Sequence, residues 1–358
     1  MLPLLLSGLL SVGPDTLPPD GPYLFYEGNE VIAKWADTER RTAGEAVFSP
    51  ENFCELPAFP SFDPALVDAN RSFERITKVH YTGVPRVAAL SDIHGQFDTG
   101  RALLKANGII DDRLKWTFGD GHLVIVGDIF DRGDQVTELL WLIHNLQIEA
   151  EAAGGKVHFL LGNHETLTLE GDDRYLNEKY RTVASLTEMF YRELYGPDSY
   201  LGRWLRSLPV VVEINNTVYI HGGLSRSVVR QVRSIDRIND LYHNYLIDAE
   251  DLDDVKRKSP QLDLLHGANG PLWYRGYFSR DGFDEDDMDY VLRKIGADRI
   301  VVGHTSFTAI HGYFDNRLIA VDSSIKFGNV GEILIVDDGE YYRGTIGGKR
   351  IPLVASTK

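Results

Sequence analysis

Short runs of β-branched and aliphatic residues alternate along this chain with stretches of helical spacing, and one pattern recurs where the apolar runs end. Leu123-Val124-Ile125-Val126 leads straight into Gly127-Asp128-Ile129-Phe130-Asp131-Arg132-Gly133. A short apolar run bounded by glycine reads as a buried strand. Its carboxylates then fall at the C-terminal edge of a sheet, where ligands of open α/β sheets bind. Arg86-Val87-Ala88-Ala89-Leu90 runs likewise into Ser91-Asp92-Ile93-His94-Gly95, and Val157-His158-Phe159-Leu160-Leu161 into Gly162-Asn163-His164-Glu165. Val218-Tyr219-Ile220 runs into His221-Gly222-Gly223, and Ile300-Val301-Val302 into Gly303-His304. Alone, the stretch at 127–133 reads equally well as a helix-capping loop, a job Asp131 or Asp134 could do, and a core histidine satisfied by backbone is the better reading of any single one. Five at the same place on the same kind of element point to one site.

The spacing predicts a hairpin from Tyr23 to Trp35 around Glu27-Gly28-Asn29. It predicts a helix from Phe97 to Asn107 that ends at Gly108. A second helix carries Val136, Leu139, Leu140, Ile143 and Leu146 and stops near Gly154-Gly155. His144 lies close to that apolar stripe and reads as a packed or surface residue, not a ligand. Residues 36–80 show no clear period and read as a wrap over the main domain. Residues 172–207 and 224–270 read as helices that cap the site. The acidic run from Asp248 to Asp254 is a solvated face, lacking the glycine and spacing of a calcium loop. Beyond 298 short strands dominate, at 300–302, 318–321 and 332–336 before an Asp337-Asp338-Gly339 turn. The fold class expected is α/β, two stacked β-sheets flanked by helices and helical cap segments. The expected boundaries are 1–22 for a leader and linker, 23–80 for the wrap, 81–345 for the main domain and 346–358 for a tail.

Composition narrows the functions. With 358 residues, 43% of them hydrophobic, the chain can bury a large core. Its net charge of −16 argues against a nucleic-acid surface. The one cysteine, Cys54, excludes an intrachain disulfide and reads as a small buried apolar residue. No arginine follows it in Glu55-Leu56-Pro57-Ala58-Phe59-Pro60-Ser61, which excludes a cysteine-based phosphatase loop. Residues 1–12 are apolar but too short to span a bilayer, and no other stretch suits a membrane helix. They resemble a secretory signal without its basic start, which leans towards an exported, periplasmic location; a misplaced start or a packed segment are the alternatives.

Carboxylate and amide oxygens mixed with imidazole nitrogens suit divalent Mn, Fe or Zn. Asp128, on a strand between two other such loops, is the natural bridge between two ions. Two metals about 3.5–4 Å apart clamp both oxygens of an in-line displacement and make a bound water acidic. A phosphate ester also needs a cation, for which Arg132 is placed. It needs a proton donor, for which His164 is placed, with Asp131 orienting its other nitrogen. Trp273-Tyr274-Arg275-Gly276-Tyr277 offers a second arginine, although those residues alone read as ordinary cap packing.

Together, Asp-x-His-Gly at 92–95, Gly-Asp-x-x-Asp-Arg-Gly at 127–133, Gly-Asn-His-Glu at 162–165, His221-Gly-Gly and Gly303-His304 resemble the phosphoprotein phosphatase branch of the calcineurin-like metallophosphoesterases. The likeness covers roughly residues 86–325. The runs Gly-Asp-Ile-Phe-Asp-Arg-Gly-Asp-Gln-Val, Trp-Tyr-Arg-Gly-Tyr-Phe and Val-Gly-His-Thr-Ser are especially similar to Shewanella-like protein phosphatases, among which is an enzyme described as a protein-tyrosine phosphatase. The resemblance implies Asp92, His94 and Asp128 as ligands of one metal, and Asp128, Asn163, His221 and His304 as ligands of the other. It implies His164 as general acid with Asp131 as partner, and Arg132, Arg275 and Asn163 as substrate-binding residues. It implies a phosphorylated protein or peptide as substrate. Two departures stand out: Ser91 replaces the usual glycine, and Ala320-Val321-Asp322-Ser323-Ser324-Ile325 replaces the Ser-Ala-Pro-Asn-Tyr segment of eukaryotic protein phosphatases. A toxin sensitivity and a phosphoserine preference like theirs therefore do not carry over. The alternatives are a dinucleoside polyphosphate hydrolase, against which Asp131 speaks because those relatives typically have alanine there, and a non-catalytic binding module.

Overall fold

In a computed structural model of the chain, residues 19–49, 56–68, 72–249, 251–279 and 282–355 are described. The apolar segment 1–12 and Cys54 lie outside the described residues. Strands β1 (Asp20–Glu27), β2 (Glu30–Asp37) and β3 (Thr42–Phe48) form a small antiparallel sheet. The expected hairpin is there, with Glu27 opposite Glu30. Strand β3 pairs along β2 although its sequence, Thr-Ala-Gly-Glu-Ala-Val-Phe, carries little strand signal. Its small residues make room for a large one: a Cβ on Gly44 would lie 2.2 Å from the Trp35 ring.

The remaining strands are β4 (His80–Tyr81), β5 (Arg86–Leu90), β6 (His122–Ile125), β7 (Lys156–Phe159), β8 (Val211–Ile214), β9 (Thr217–Ile220), β10 (Arg299–Val302), β11 (His311–Tyr313), β12 (Leu318–Ala320), β13 (Glu332–Asp337), β14 (Glu340–Thr345) and β15 (Arg350–Pro352). They make two six-stranded sheets, ordered β11-β12-β10-β9-β8-β4 and β15-β14-β13-β5-β6-β7. These are the two sheets the sequence predicts. Arg350–Pro352, within the expected tail, pairs with β14 as an edge strand. Register places the site. Strands β5, β6 and β7 are parallel with Leu90 opposite Ile125 and Ile125 opposite Phe159, and β9 and β10 are parallel with Ile220 opposite Val302. All five motifs therefore leave their sheets at C-terminal ends, and the loops meet: Gly303 N–H donates to the His221 carbonyl at 2.8 Å.

Helix α1 (Phe97–Ala106) packs against β13 and β14 and α2 (Val136–Ala152) against β7, while α4 (Glu178–Leu186) packs against β2 and α5 (Tyr200–Ser207) against β1; α3 (Asn163–Glu170) begins in the third motif. Helix α2 is buried almost all round, the mark of a helix packed on both faces. The N-terminal sheet supplies the outer cover: Trp141 is fully buried and its indole donates to the Pro22 carbonyl at 3.3 Å. His144 is packed, its Nε2 3.0 Å from the Tyr200 hydroxyl. Of the acidic run, Asp251 caps a helix by accepting from Asp254 N–H at 2.8 Å.

Lys179 of α4 ties β1 to α2, with Nζ 2.7 Å from Asp20 and 3.3 Å from Glu138. Burial, then the Asp20 carboxylate, raises the Glu138 carboxyl from 4.5 to about 7. The folded chain therefore keeps a proton that the unfolded chain has released, and stability falls as pH rises from 4.5 through about 7. Glu138→Gln is expected to flatten that decline in melting temperature between about pH 5 and pH 8. Parallel profiles for variant and wild type would clear Glu138 of the effect.

Candidate metal centre and active site

Each strand end delivers its side chains inward. Residues Asp92, His94, Asp128, Asn163, His221 and His304 are all buried. His94 Nδ1 donates to the Phe130 carbonyl at 2.7 Å and His221 Nδ1 to the Val126 carbonyl at 2.8 Å. Those backbone bonds fix the tautomers and turn both Nε2 lone pairs into the site, as the outer hydrogen bonds of metal-ligating histidines do. His94 Nε2 then lies 3.6 Å from Asp128 Oδ2 and 3.9 Å from Asp92 Oδ1. His221 Nε2 lies 3.2 Å from Asp128 Oδ2, 3.0 Å from Asn163 Oδ1 and 3.2 Å from His304 Nδ1. Two groups result, His94–Asp128–His164 and Asp128–His221–His304, each with ligand atoms within 4.8 Å and sharing Asp128.

The electrostatics call for positive charge. Burial, with Asp322 and Asp128 nearby, lifts the Asp92 carboxyl well above its ordinary value. Burial drives His94 down to about 3. Burial also opposes charge on His221, yet the adjacent Asp128 carboxylate outweighs it and raises that imidazole to about 10. A crowd of acceptor atoms that forces a proton onto one histidine is a crowd that fits cations. The donor set of oxygens and imidazole nitrogens suits divalent ions in both groups.

The backbone is held in a costly shape to achieve this. Asp92, His94, Asp128, Asp131, Arg132 and His304 all have φ between 47° and 68°, a left-handed conformation costing on the order of 1–3 kcal/mol per residue. Glu165 is one group that holds it. Its buried carboxylate accepts from the N–H of Asp128 (2.8 Å), Ile129 (2.7 Å) and Gly162 (2.6 Å), fastening the β6 loop to the start of α3. Close backbone approach is the other constraint: a Cβ on Gly133 would lie 2.4 Å from the His94 carbonyl oxygen.

His164 Nδ1–H donates to Asp131 Oδ2 at 2.5 Å, leaving Nε2 facing Asp128 Oδ2 at 3.8 Å. Burial works against its charge, but Asp128 and Asp131 prevail and raise its pKa above 6.5. Two exposed arginines reach in from the rim. Arg132 Nε lies 3.4 Å from His94 Nε2, and Arg275 donates to the His304 carbonyl at 2.6 Å with its other nitrogen 3.5 Å from His304 Nδ1. The ten residues singled out from the sequence thus share one site.

Sequence reasoning missed four others. Besides Glu165 there is Ser91, whose hydroxyl donates to Asp92 Oδ2 at 2.6 Å, so the departure from glycine supplies the Asp92 carboxylate with a second donor beside His304 N–H. The other departure brings Asp322 beside Asp92, fully buried and accepting from Ser306 at 2.5 Å and Ser324 N–H at 3.0 Å. Tyr175 stands over the Arg132 guanidinium at 5.3 Å, its ring 5.1 Å from that of His164.

Two facing sheets with carboxylates and imidazoles gathered at their C-terminal ends define a metallophosphoesterase. Residues 85–306 match the calcineurin-like phosphoesterase family, and the chain belongs to it. The structure resembles the crystal structure of the cold-active protein-tyrosine phosphatase of a psychrophile, Shewanella sp., with a TM-score of 0.84 and 38% identity over 94% of this chain and all of that one. Shewanella-like protein phosphatase 2 of Arabidopsis thaliana is 26% identical over 304 residues, 72% of this chain and 75% of that protein. A symmetrical bis(5'-nucleosyl)-tetraphosphatase of Azotobacter vinelandii is 25% identical over 297 residues, 72% of this chain and 95% of that protein. The chain is a phosphatase of the divalent-metal type. Among the described residues no helix is long and apolar enough to cross a membrane.

Proposed function

We propose that this protein is a two-metal phosphomonoesterase acting on phosphorylated protein side chains, phosphotyrosine among them. The observation that carries the reading is the His164–Asp131 pair, at 2.5 Å, with His164 itself at the edge of one of two donor groups that share Asp128. Asp92, His94 and Asp128 would hold one ion, and Asp128, Asn163, His221 and His304 the other. Bound there, Mn, Fe or Zn would supply an acidified water and charge for the phosphoryl oxygens. The chain's own residues do the rest. Arg132 and Arg275 grip non-bridging oxygens from opposite sides of the mouth. His164 gives its Nε2 proton to the leaving oxygen while Asp131 holds the ring in register. The leaving group then extends over His164 against the Tyr175 ring, a surface suited to an aromatic alcohol. The likeness to a cold-active protein-tyrosine phosphatase supports the same choice.

Arg275→Ala is expected to lower kcat/KM by roughly 10–100-fold, the worth of a charge-assisted contact. Unchanged kcat/KM would return Arg275 to cap packing.

The match to a tetraphosphatase favours a second reading, dinucleoside polyphosphate hydrolysis. One experiment separates the two: metal-stripped enzyme with manganese restored, offered phosphotyrosine peptide, phosphoserine peptide and diadenosine tetraphosphate side by side. Manganese-dependent release from the peptides is the expected result. Turnover of the dinucleotide alone would transfer the protein to the second reading.

A further inference from the structure

A cleft next to the catalytic acid takes no part in this chemistry. Thr168, Gly171 and Asp172, at the end of α3, face Phe190 and Arg192 across a cavity of about 230 Å³. Helix α3 begins with Asn163 and His164 and ends here, and the chain beyond it returns to the rim through Arg174 and Tyr175. Arg174 Nε donates to Asp172 at 2.9 Å, and its guanidinium lies 5.9 Å from the Tyr175 ring beside His164. Arg174 holds the Asp172 carboxyl below its ordinary value. Cleft and acid stand at the two ends of the same eight-residue helix.

Two features of the cleft point to a polypeptide. Phe190 is 73% exposed, yet its N–H donates to Glu193 at 2.8 Å at the head of the turn Tyr191–Tyr195, whose Tyr191, Leu194 and Tyr195 are buried. A large apolar ring presented on an anchored element is what contact surfaces use. Arg192 is exposed beside it, its stem laid on Gly171, where a Cβ would come within 2.8 Å of Arg192 Cδ. Among the described residues Arg192 makes no ion pair, whereas the acids of the cleft are engaged, Asp172 by Arg174 and Asp173 by Arg181 at 2.7 Å. In a chain of net charge −16 this is an uncommitted cation next to an apolar ring.

We infer that the cleft is a subsite for the polypeptide flanking the phosphorylated residue, receiving an apolar side chain against Phe190 and an acidic one against Arg192. The inference rests on the phosphoprotein reading above and adds where neighbouring sequence is read. The test uses the full chain with manganese and three substrates. These are p-nitrophenyl phosphate, a phosphotyrosine peptide flanked by leucine and glutamate, and the same peptide flanked by alanines. The leucine–glutamate peptide is expected to be preferred by roughly tenfold in kcat/KM. Phe190→Ala and Arg192→Ala should each remove most of that preference through KM, with p-nitrophenyl phosphate unchanged within about twofold. With a fourth substrate, the same peptide flanked by leucine and lysine, Arg192→Glu should turn the charge preference towards lysine. Equal rates for the two peptides in the wild type overturn the subsite and leave the phosphatase reading intact. So does a variant that slows p-nitrophenyl phosphate and peptides alike, since that is a structural effect. Hydrolysis of p-nitrophenyl phosphate with no peptide turnover in the wild type removes the phosphoprotein reading itself.

Discussion

Asp128→Asn is expected to abolish phosphatase activity, by on the order of 10³-fold or more, and to lower bound metal with the fold preserved. The fold survives because asparagine tolerates the left-handed backbone at this position, φ 62°, and its carbonyl can still accept from His164 N–H, now 3.0 Å from Asp128 Oδ1. What is lost is the anionic Oδ2 that faces His94, His164 and His221 at 3.6, 3.8 and 3.2 Å. An amide nitrogen there would point protons at histidine nitrogens, or the amide oxygen would face them without the charge that the proposed pair of cations would need. Elemental analysis and a melting curve of the purified variant decide the matter. Full metal content with normal activity would show that Asp128 is not the bridge.

His164→Asn should behave differently: metals retained, kcat reduced by roughly 10²–10⁴, the span of a general acid. The loss should depend on the leaving group. An alkyl alkoxide leaving from phosphoserine needs the proton most, a phenolate from phosphotyrosine needs it less, and p-nitrophenolate hardly at all. A plot of log kcat against leaving-group pKa should therefore be steeper for the variant than for the wild type. The structure also groups His164 with His94 and Asp128 within 4.8 Å. If His164 acts as a ligand, the variant loses metal and the two slopes coincide, and the acid assignment falls.

What could be read from the sequence was whatever chemistry sits in one contiguous run. Asp92, Asp128, Asn163, His221 and His304 each follow an apolar strand within a few residues, so strand pattern and donor type reinforce one another. Arg275 has no such companion. Its partner is the His304 carbonyl, 29 residues away, and its residues alone look like cap packing; only the family resemblance placed it. Glu165 stands inside a visible motif, yet its partners are backbone N–H groups of the β6 loop and Gly162, which leave no side-chain signature. Tyr175 gains its place because Arg132 and His164 converge on it from separate segments. Strand β3 escaped notice because small residues under Trp35 erase the alternation that marks a strand.

Strand order sets a schedule for making this enzyme. The strand that delivers Asp92 and His94, β5, lies between β6 and β13, and β13 is made of residues Glu332–Asp337. While the chain is still being synthesised, β5 and β6 can pair, but the other edge of β5 stays open until residues 332–337 have left the ribosome. An open strand edge is a template for wrong partners, and pairing across so many residues is slow. His304 likewise arrives more than 200 residues after Asp92, whose carboxylate waits 212 positions for the N–H it accepts. The donor cluster and the sheet behind it are therefore completed only long after Asp92 and His94 are made, His304 first and β13 after it.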